Sequence, residues 1–337
     1  MLLNENQKMI RRMARDFAES KLAPIAAEID RTAEFPEATV KEMGSLGFLG
    51  LTTPEQYGGV GADLTSYALV VEEISRVCGS HGLTVAAHNS LGCAPIAALG
   101  TEEQKQAYLP KAAAGEALLS FGLTEAGAGS DAGGTKTTAV RDGDQWVLNG
   151  NKMWITNSHY ASAIIVTAKT DLEAQGSKGI SAFLVPTDTP GFTIGKKEDK
   201  LGMRASDTAP LSLEDVRIPA DALLGEPNAG FKYFMKTLDG GRISIAAVAL
   251  GLAVGAYETA RDYAKERHQF GRPIAKFQAI EFMLADMATQ IQASRQLTFE
   301  ACRLKDAGEP FGQMAAMAKL HASETAMFVT DRAIQVL

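Results

Sequence analysis

Two short segments carry residue types that together suit a flat ligand with a polar edge. The first, "FGLTEAGAGSD" (Phe121–Asp131), is apolar and then turns abruptly to glycine, alanine and serine. Glycines let backbone N–H groups come close to an anionic or polar ligand, and Thr124 and Ser130 add hydroxyls. The second, "NKMWITN", sets the broad ring of Trp154 two residues from the Thr156 hydroxyl. Together they could hold a heteroaromatic ring by its edge and face, and a flavin is the natural candidate. From residue type alone, a buried core tryptophan explains Trp154 at least as well.

Gly127 to Ala132 also fits the loose pattern GxGxxG/A, whose dinucleotide reading requires the loop to open a helix. The next stretch of chain, "GGTKTTAVRDGDQ", is polar, glycine-rich and β-branched, so that reading is rejected. Taken alone, the loop reads as a glycine-rich turn between strands.

Two further patches lie downstream. In "ERHQFGRPIAKFQ", Arg267 and Arg272 flank Phe270, with Gln278 one to two turns on. Arginine forks suit phosphate oxygens, although a solvated helix end explains the same residues. In "LDGGRISIAA", Asp239 and Arg242 are three apart and predict a local ion pair. Gly240 and Gly241 each cost a helix about 1 kcal/mol relative to alanine, which implies close approach by a ligand or another helix. Gly251 and Gly255 form GxxxG and predict tight helix packing. The five histidines show no metal-ligand spacing, and Asp286 reads as helix surface.

These segments need a scaffold, and the periodicity predicts one. Residues 1–117 read as mainly helical, with a capping box at Thr101 and Gln104. Residues 118–224 change period. "DQWVLNGNKMWITN", "ASAIIVTAKT", "GISAFLVP" and "APLSLEDVRIP" are short, β-branched and bounded by turn residues, so they predict strands. From 225 to 337 three long helices are expected, divided at Gly271–Arg272–Pro273 and Gly308–Glu309–Pro310. The predicted class is α+β, mostly α: an N-terminal helical domain, a middle β-barrel or sandwich-like domain and a C-terminal four-helix-bundle-like domain. A net charge of −7 argues against a nucleic-acid binder. Three cysteines without CxxC spacing point to a reducing compartment. No apolar run reaches the roughly 18 residues of a membrane span, and the acidic, amphipathic N-terminus reads as a first helix rather than a targeting peptide.

The whole chain resembles the acyl-CoA dehydrogenase family. "LTEAGAGSD", "NGNKMWITN", "GMRASDTAPLSLEDVRIP", "LDGGRISIAA" and "ERHQFGRPIAKFQ" look like its motifs and stand in its order. The likeness is closest to the short-chain, butyryl-CoA type. It implies FAD as cofactor, an acyl-CoA substrate and an electron-transferring flavoprotein as acceptor. Phe121, Leu123 and Thr124 would meet the flavin's polar edge, with Gly129 and Ser130 in the same loop. Trp154, Ile155 and Thr156 would line the isoalloxazine. Ser130, Asp239, Gly240, Gly241 and Arg242 would meet the substrate's coenzyme A portion. Arg267, Phe270, Gln278 and Gln335 would reach the FAD of a neighbouring subunit, which makes a homotetramer the expected assembly.

The family's α-proton base is usually a glutamate in a Tyr-Glu-Gly-Thr-like motif, and in some members it sits on the helix carrying Arg242. The latter position here is Gly241, and the former motif does not occur before Leu337. The expectation is therefore that the base lies beyond Leu337 and that the chain is incomplete. Ala126 stands where many members have proline. Related readings are an acyl-CoA oxidase, a dehydrogenase of branched or other acyl thioesters, or a non-catalytic flavin- or acyl-CoA-binding paralogue. The expected location is cytoplasmic in a bacterium, or the mitochondrial matrix in a eukaryote.

Overall fold

In the computed structural model, which describes residues 2–337, the chain opens with helices. α1 (Glu5–Phe17) starts at a capping box in which Asn4 and Gln7 each accept the other's backbone N–H. A π turn at Ala18–Leu22 leads into α2 (Ala23–Thr32). Then come α3 (Glu37–Ser45), α4 (Leu64–Val77), α5 (Gly79–Ala87), α6 (Ala94–Leu99) and α7 (Glu102–Ala113). The capping box expected at Thr101 and Gln104 is present at the start of α7.

The period changes at 118, where β1 (Leu118–Gly122) begins. β2 (Thr138–Asp142), β3 (Gln145–Thr156), β4 (Ala161–Lys169), β5 (Ile180–Pro186), β6 (Phe192–Ile194) and β7 (Thr208–Pro219) complete one sheet. Its order is β1-β4-β2-β3-β7-β6, with β5 also on β4. The β1–β4 and β2–β4 pairings are parallel, and the rest are antiparallel. Helices then return as α8 (Gly230–Glu266), α9 (Gln278–Asp306) and α10 (Gly312–Val336). Between α8 and α9, β8 (His268–Gln269) and β9 (Arg272–Pro273) form a minimal hairpin.

Packing gathers the chain into two compact units. The first, residues 29–61 and 87–238, holds the sheet. One of its cores joins Leu148, Ile155, Ile164, Val166, Phe183, Val185, Leu211 and Val216. Another packs Ile96 and Leu109 from α6 and α7 against Leu119, Ile165, Leu184 and Phe234. His88 is fully buried beside this second core. Its Nε2–H donates to Ala112 O at 3.1 Å, and its Nδ1 accepts Leu119 N–H at 3.1 Å. Both ring nitrogens are thus committed in the neutral form, and burial lowers the imidazole to about 4.

The second unit, residues 2–28 with 62–86 and 239–337, is helical. α8, α9 and α10 bury Leu250, Ala253, Met287, Ile291, Val329 and Ala333 together. α4 carries two acids that are 1 % exposed. Glu73 accepts from Arg11, Arg15 and Arg76, and Glu72 accepts from Arg295 at 2.6 Å. Removing one partner from such a buried network strands a charge in low dielectric. Burial works to raise the Glu73 carboxyl, but the guanidiniums of Arg15 and Arg11 prevail and hold it below its usual value.

The GxxxG expectation holds in detail. A Cβ at Gly251 would stand 2.4 Å from Glu72 O, and one at Gly255 would stand 2.2 Å from Arg76 O. α8 therefore meets the α4 backbone directly. α8 is long and apolar enough in composition to pass for a membrane span, but its uncharged run, residues 243–257, stops short of the roughly 18 residues expected of one. Its apolar window is 61 % buried within the protein, and a core helix meets the same criterion. Between residues 243 and 257 α8 carries no charge, as suits a segment enclosed by other helices.

Gly255→Ala gains about 1 kcal/mol of helix propensity but drives a methyl into a backbone carbonyl. The net expectation is a loss of about 1–3 kcal/mol, read from the urea midpoint. Gly127→Ala, where a Cβ meets nothing within 4 Å, is the control and should stay within about 0.5 kcal/mol of the parent.

Candidate functional site

The two segments singled out by residue type are neighbours in space. Past the end of β1 the chain runs beside the last residues of β3. Met153 N–H donates to Thr124 O at 2.8 Å, Lys152 Nζ to Leu123 O at 3.2 Å, and Ser120 Oγ to Thr156 O. The loop is thereby fixed against the strand end over its whole apolar part.

β3 is irregular at this point. Its pairing with β7 steps from Lys152↔Leu211 to Ile155↔Ala209, so three steps on one strand match two on the other. That is a β-bulge, and Trp154 within it has φ +59°. A non-glycine residue in the left-handed region costs about 1–3 kcal/mol and persists only where its surroundings impose it. The bulge turns the indole outward, leaving Trp154 58 % exposed. This overturns the buried-core alternative for Trp154; the partly buried tryptophan of the sheet core is Trp146. Ile155 is placed the other way, with its side chain in the sheet core. Only its backbone can face a ligand. Phe121 stacks on Phe234 with ring centroids 3.9 Å apart. Among the described residues, the Thr124 and Thr156 hydroxyls and the Trp154 indole N–H have no partner inside the protein.

The far side of the bulge is also braced. Asn157 (φ +66°) starts a short turn, Ser158–Tyr160, which wraps the buried Asp207 carboxylate. Asp207 accepts from His159 N at 2.9 Å, pairs with His159 Nδ1 at 2.8 Å and accepts from Ser158 Oγ at 3.3 Å.

Beneath the loop lies an ion pair that residue-type reasoning missed. Lys152, with a fully buried side chain, puts Nζ 2.8 Å from Glu125 Oε1 and 3.1 Å from both Thr135 Oγ1 and Thr167 Oγ1. Glu125 also accepts from Lys136 N at 2.6 Å, Thr137 N at 3.1 Å, Thr137 Oγ1 at 2.7 Å and the Thr135 hydroxyl. Burial opposes the carboxylate's charge, but the ammonium and the threonine hydroxyls outweigh it and hold Glu125 at about 2. Burial lowers Lys152 to about 8 against the pull of Glu125. Both groups are charged at neutral pH.

The glycine loop itself is a tight turn, with Glu125 and Ala128 exchanging backbone hydrogen bonds at 3.2 and 3.0 Å. A Cβ at Gly127 or Gly129 would face open space, so nothing inside the protein demands glycine there. Ser130 is exposed. Only a single short turn, Ala132–Gly134, precedes β2, in keeping with the rejected dinucleotide reading.

The remaining singled-out residues lie in the helical unit. Arg242 Nη1 pairs with Asp239 Oδ1, and both side chains are partly exposed. A Cβ at Gly240 would lie 2.8 Å from Lys305 Nζ, so a neighbouring helix's side chain makes the close approach there, while Gly241 is buried. Phe270 (φ +53°) and Gly271 (φ +74°) form the two-residue tip of the β8–β9 hairpin. Phe270 is 92 % exposed and meets Phe277 edge-on, with the Arg272 guanidinium 4.3 Å over the Phe277 ring. Arg267 and Gln278 are exposed at the ends of α8 and α9, and Gln335 is exposed in the last turn of α10. No group of metal-ligating side chains occurs among the described residues. The three cysteines are buried, and burial pushes the Cys93 thiol up to about 12.

Since Glu125 is held below its ordinary 4.5, its contribution is complete above pH 4.5 and is lost as pH falls toward 2. Acid titration across that window should remove on the order of 3 kcal/mol through this group. The double variant Glu125→Gln/Lys152→Met should show a shallower fall by up to one proton's slope, measured as unfolding free energy against pH.

Comparison with known proteins agrees with this arrangement. Family models for the acyl-CoA dehydrogenase N-terminal, middle and C-terminal domains match residues 4–116, 120–216 and 228–337. The chain is 55% identical to the probable acyl-CoA dehydrogenase YngJ of Bacillus subtilis, over 99% of this chain and 88% of that protein. It is 52% identical to the mitochondrial short-chain specific acyl-CoA dehydrogenase of Bos taurus, over 99% of this chain and 81% of that one. A solved structure described as the electron transferring flavoprotein of Acidaminococcus fermentans contains a chain that superposes with a TM-score of 0.98 at 50% identity. That match covers 100% of this chain and 88% of the other. The resemblance read from five motifs is borne out over all three segments: the chain belongs to the acyl-CoA dehydrogenase family.

Proposed function

We propose that the protein catalyses FAD-dependent α,β-dehydrogenation of a short-chain acyl-CoA thioester to the trans-2-enoyl-CoA and passes the electrons to an electron-transferring flavoprotein. The observation that carries this is the seam between residues 120–124 and 152–156, with Trp154 turned outward by a strained bulge. An aromatic face, two hydroxyls and two stretches of backbone in one place fit a flavin's flat ring and polar edge. Family membership and the short-chain relative support the reaction and chain length. The Acidaminococcus structure supports the electron acceptor.

Thr124 and the backbone of Phe121 and Leu123 would hold the ring's polar edge, with Gly129 and Ser130 next in the loop. Trp154 would cover the face, and Ile155 would contribute through its backbone beside the Thr156 hydroxyl. FAD, when bound, supplies the acceptor for the two electrons that leave with the substrate's β-hydrogen. Asp239, Gly240, Gly241 and Arg242 read as contacts for the coenzyme A portion. The Asp239 carboxylate holds the Arg242 guanidinium in place for an anionic or carbonyl partner. Gly241 has no side chain and supplies no base. Arg267, Phe270, Gln278 and Gln335 read as surface for the FAD of a second copy in a homotetramer. In this reading residues 1–117, 118–224 and 225–337 are the three functional domains. The bacterial and mitochondrial relatives support a cytoplasmic or matrix location.

The test is spectroscopic and anaerobic. The purified protein should be yellow, and butyryl-CoA should perturb or bleach the flavin band; a protein that takes up no FAD would sink the proposal. Trp154→Ala should weaken FAD binding about tenfold, the effect of losing about 1.4 kcal/mol. The melting temperature should barely move, because the side chain is exposed. Arg242→Gln should raise the butyryl-CoA concentration needed for the spectral change while leaving FAD content unaltered.

A further inference from the structure

The Glu125–Lys152 pair has no place in the roles given above, yet it touches both segments of the seam. Lys152 is the first residue of the irregular stretch of β3, and Glu125 is the first residue after Thr124. Four oxygens surround Lys152 Nζ, one of them the backbone oxygen of Leu123 at 3.2 Å. The Leu123 C=O and the Thr124 N–H belong to one peptide group, and no peptide bond among the described residues is cis. In a trans peptide these two groups point in opposite directions. A cation on the oxygen draws electron density toward it and makes the N–H a stronger donor, an effect that low dielectric enlarges.

A buried lysine is a costly way to fasten two strands. Well-packed apolar residues of similar volume usually serve stability equally well or better. The hydroxyls of Thr135, Thr137 and Thr167 and the N–H of Lys136 complete the site, so the charges are held in one arrangement. The pair is also directional: its ammonium faces the loop's backbone, while its carboxylate is turned into donors of its own.

Resting on the flavin reading above, we infer that Glu125 and Lys152 are positioning residues for the bound flavin: they lock the 123–125 and 152–156 segments in register and polarise the Leu123–Thr124 peptide toward the ring's electron-rich edge. The pair thereby raises the flavin's tendency to accept electrons. It acts through the backbone and does not touch the substrate.

The test uses the flavin-loaded protein and Glu125→Gln/Lys152→Met, which removes both charges together and strands neither. The expected result is a variant with a near-parental melting curve, FAD binding weakened about tenfold and a more negative flavin midpoint potential in dye equilibration. A folded double variant with FAD affinity within twofold of the parent and an unchanged potential overturns the inference. Should the double variant not fold, Thr167→Val removes one oxygen from the lysine's shell. With that competing acceptor gone, the ammonium bears more on the Leu123 oxygen, so the potential should move the opposite way, to a less negative value, and no movement overturns the inference. The parent protein separates the two claims. If it holds no FAD, the proposed function fails. If it holds FAD and the variants match it, only the positioning role fails.

Discussion

Everything at the candidate site hangs on a charge in the wrong place for a charge. Lys152 puts an ammonium where the alternation of β3 calls for an apolar side chain, and the protein answers with a carboxylate, two hydroxyls and a backbone oxygen. Ionic groups in low dielectric tolerate few geometries, so segments tied to them inherit that intolerance. β3, β4, the turn after β1 and the residues just before β2 all contribute a group to this one cluster. A hydrophobic plug could hold the same elements together, but it would let them slide.

The helical unit repeats the device on a larger scale with the sign reversed. There the buried charges at the centre are the carboxylates of Glu72 and Glu73, and arginines from α1, α4 itself and α9 close around them. The glycine notches of α8 bring its backbone against the same helix. α4 is therefore held by charge on one flank and by shape on another. The two constraints agree, as expected of a sequence that specifies one packing.

Much of this was legible in the sequence, and the exceptions have a common cause. Long helices and the four longer strands announce themselves through periodicity, and the Thr101 cap through its spacing. The glycine notches were legible because GxxxG has few other uses. The bulge was not, since it exists only as a mismatch between β3 and β7, a strand much further along the chain. Without the bulge, Trp154 reads as ordinary core. Lys152 was missed because a lysine in a strand is presumed to face water, even though Trp146, Leu148 and Gly150 mark its side of β3 as the inner one. Asp207 likewise passes for loop polarity until His159 and Ser158 are seen to wrap it. In each case the missing information was a partner distant in sequence.

α8 has a consequence for how the protein is made. Emerging from the ribosome, it exposes an uncharged stretch, residues 243–257, that needs covering. One wall of its shield is α4, which lies far upstream and has already been synthesised when α8 appears, while α9 and α10 complete it later. Domains tend to form from the N-terminal end during synthesis. The order of elements along the chain thus acts as a form of self-chaperoning, in which the surface that needs the apolar helix is waiting before the helix is born.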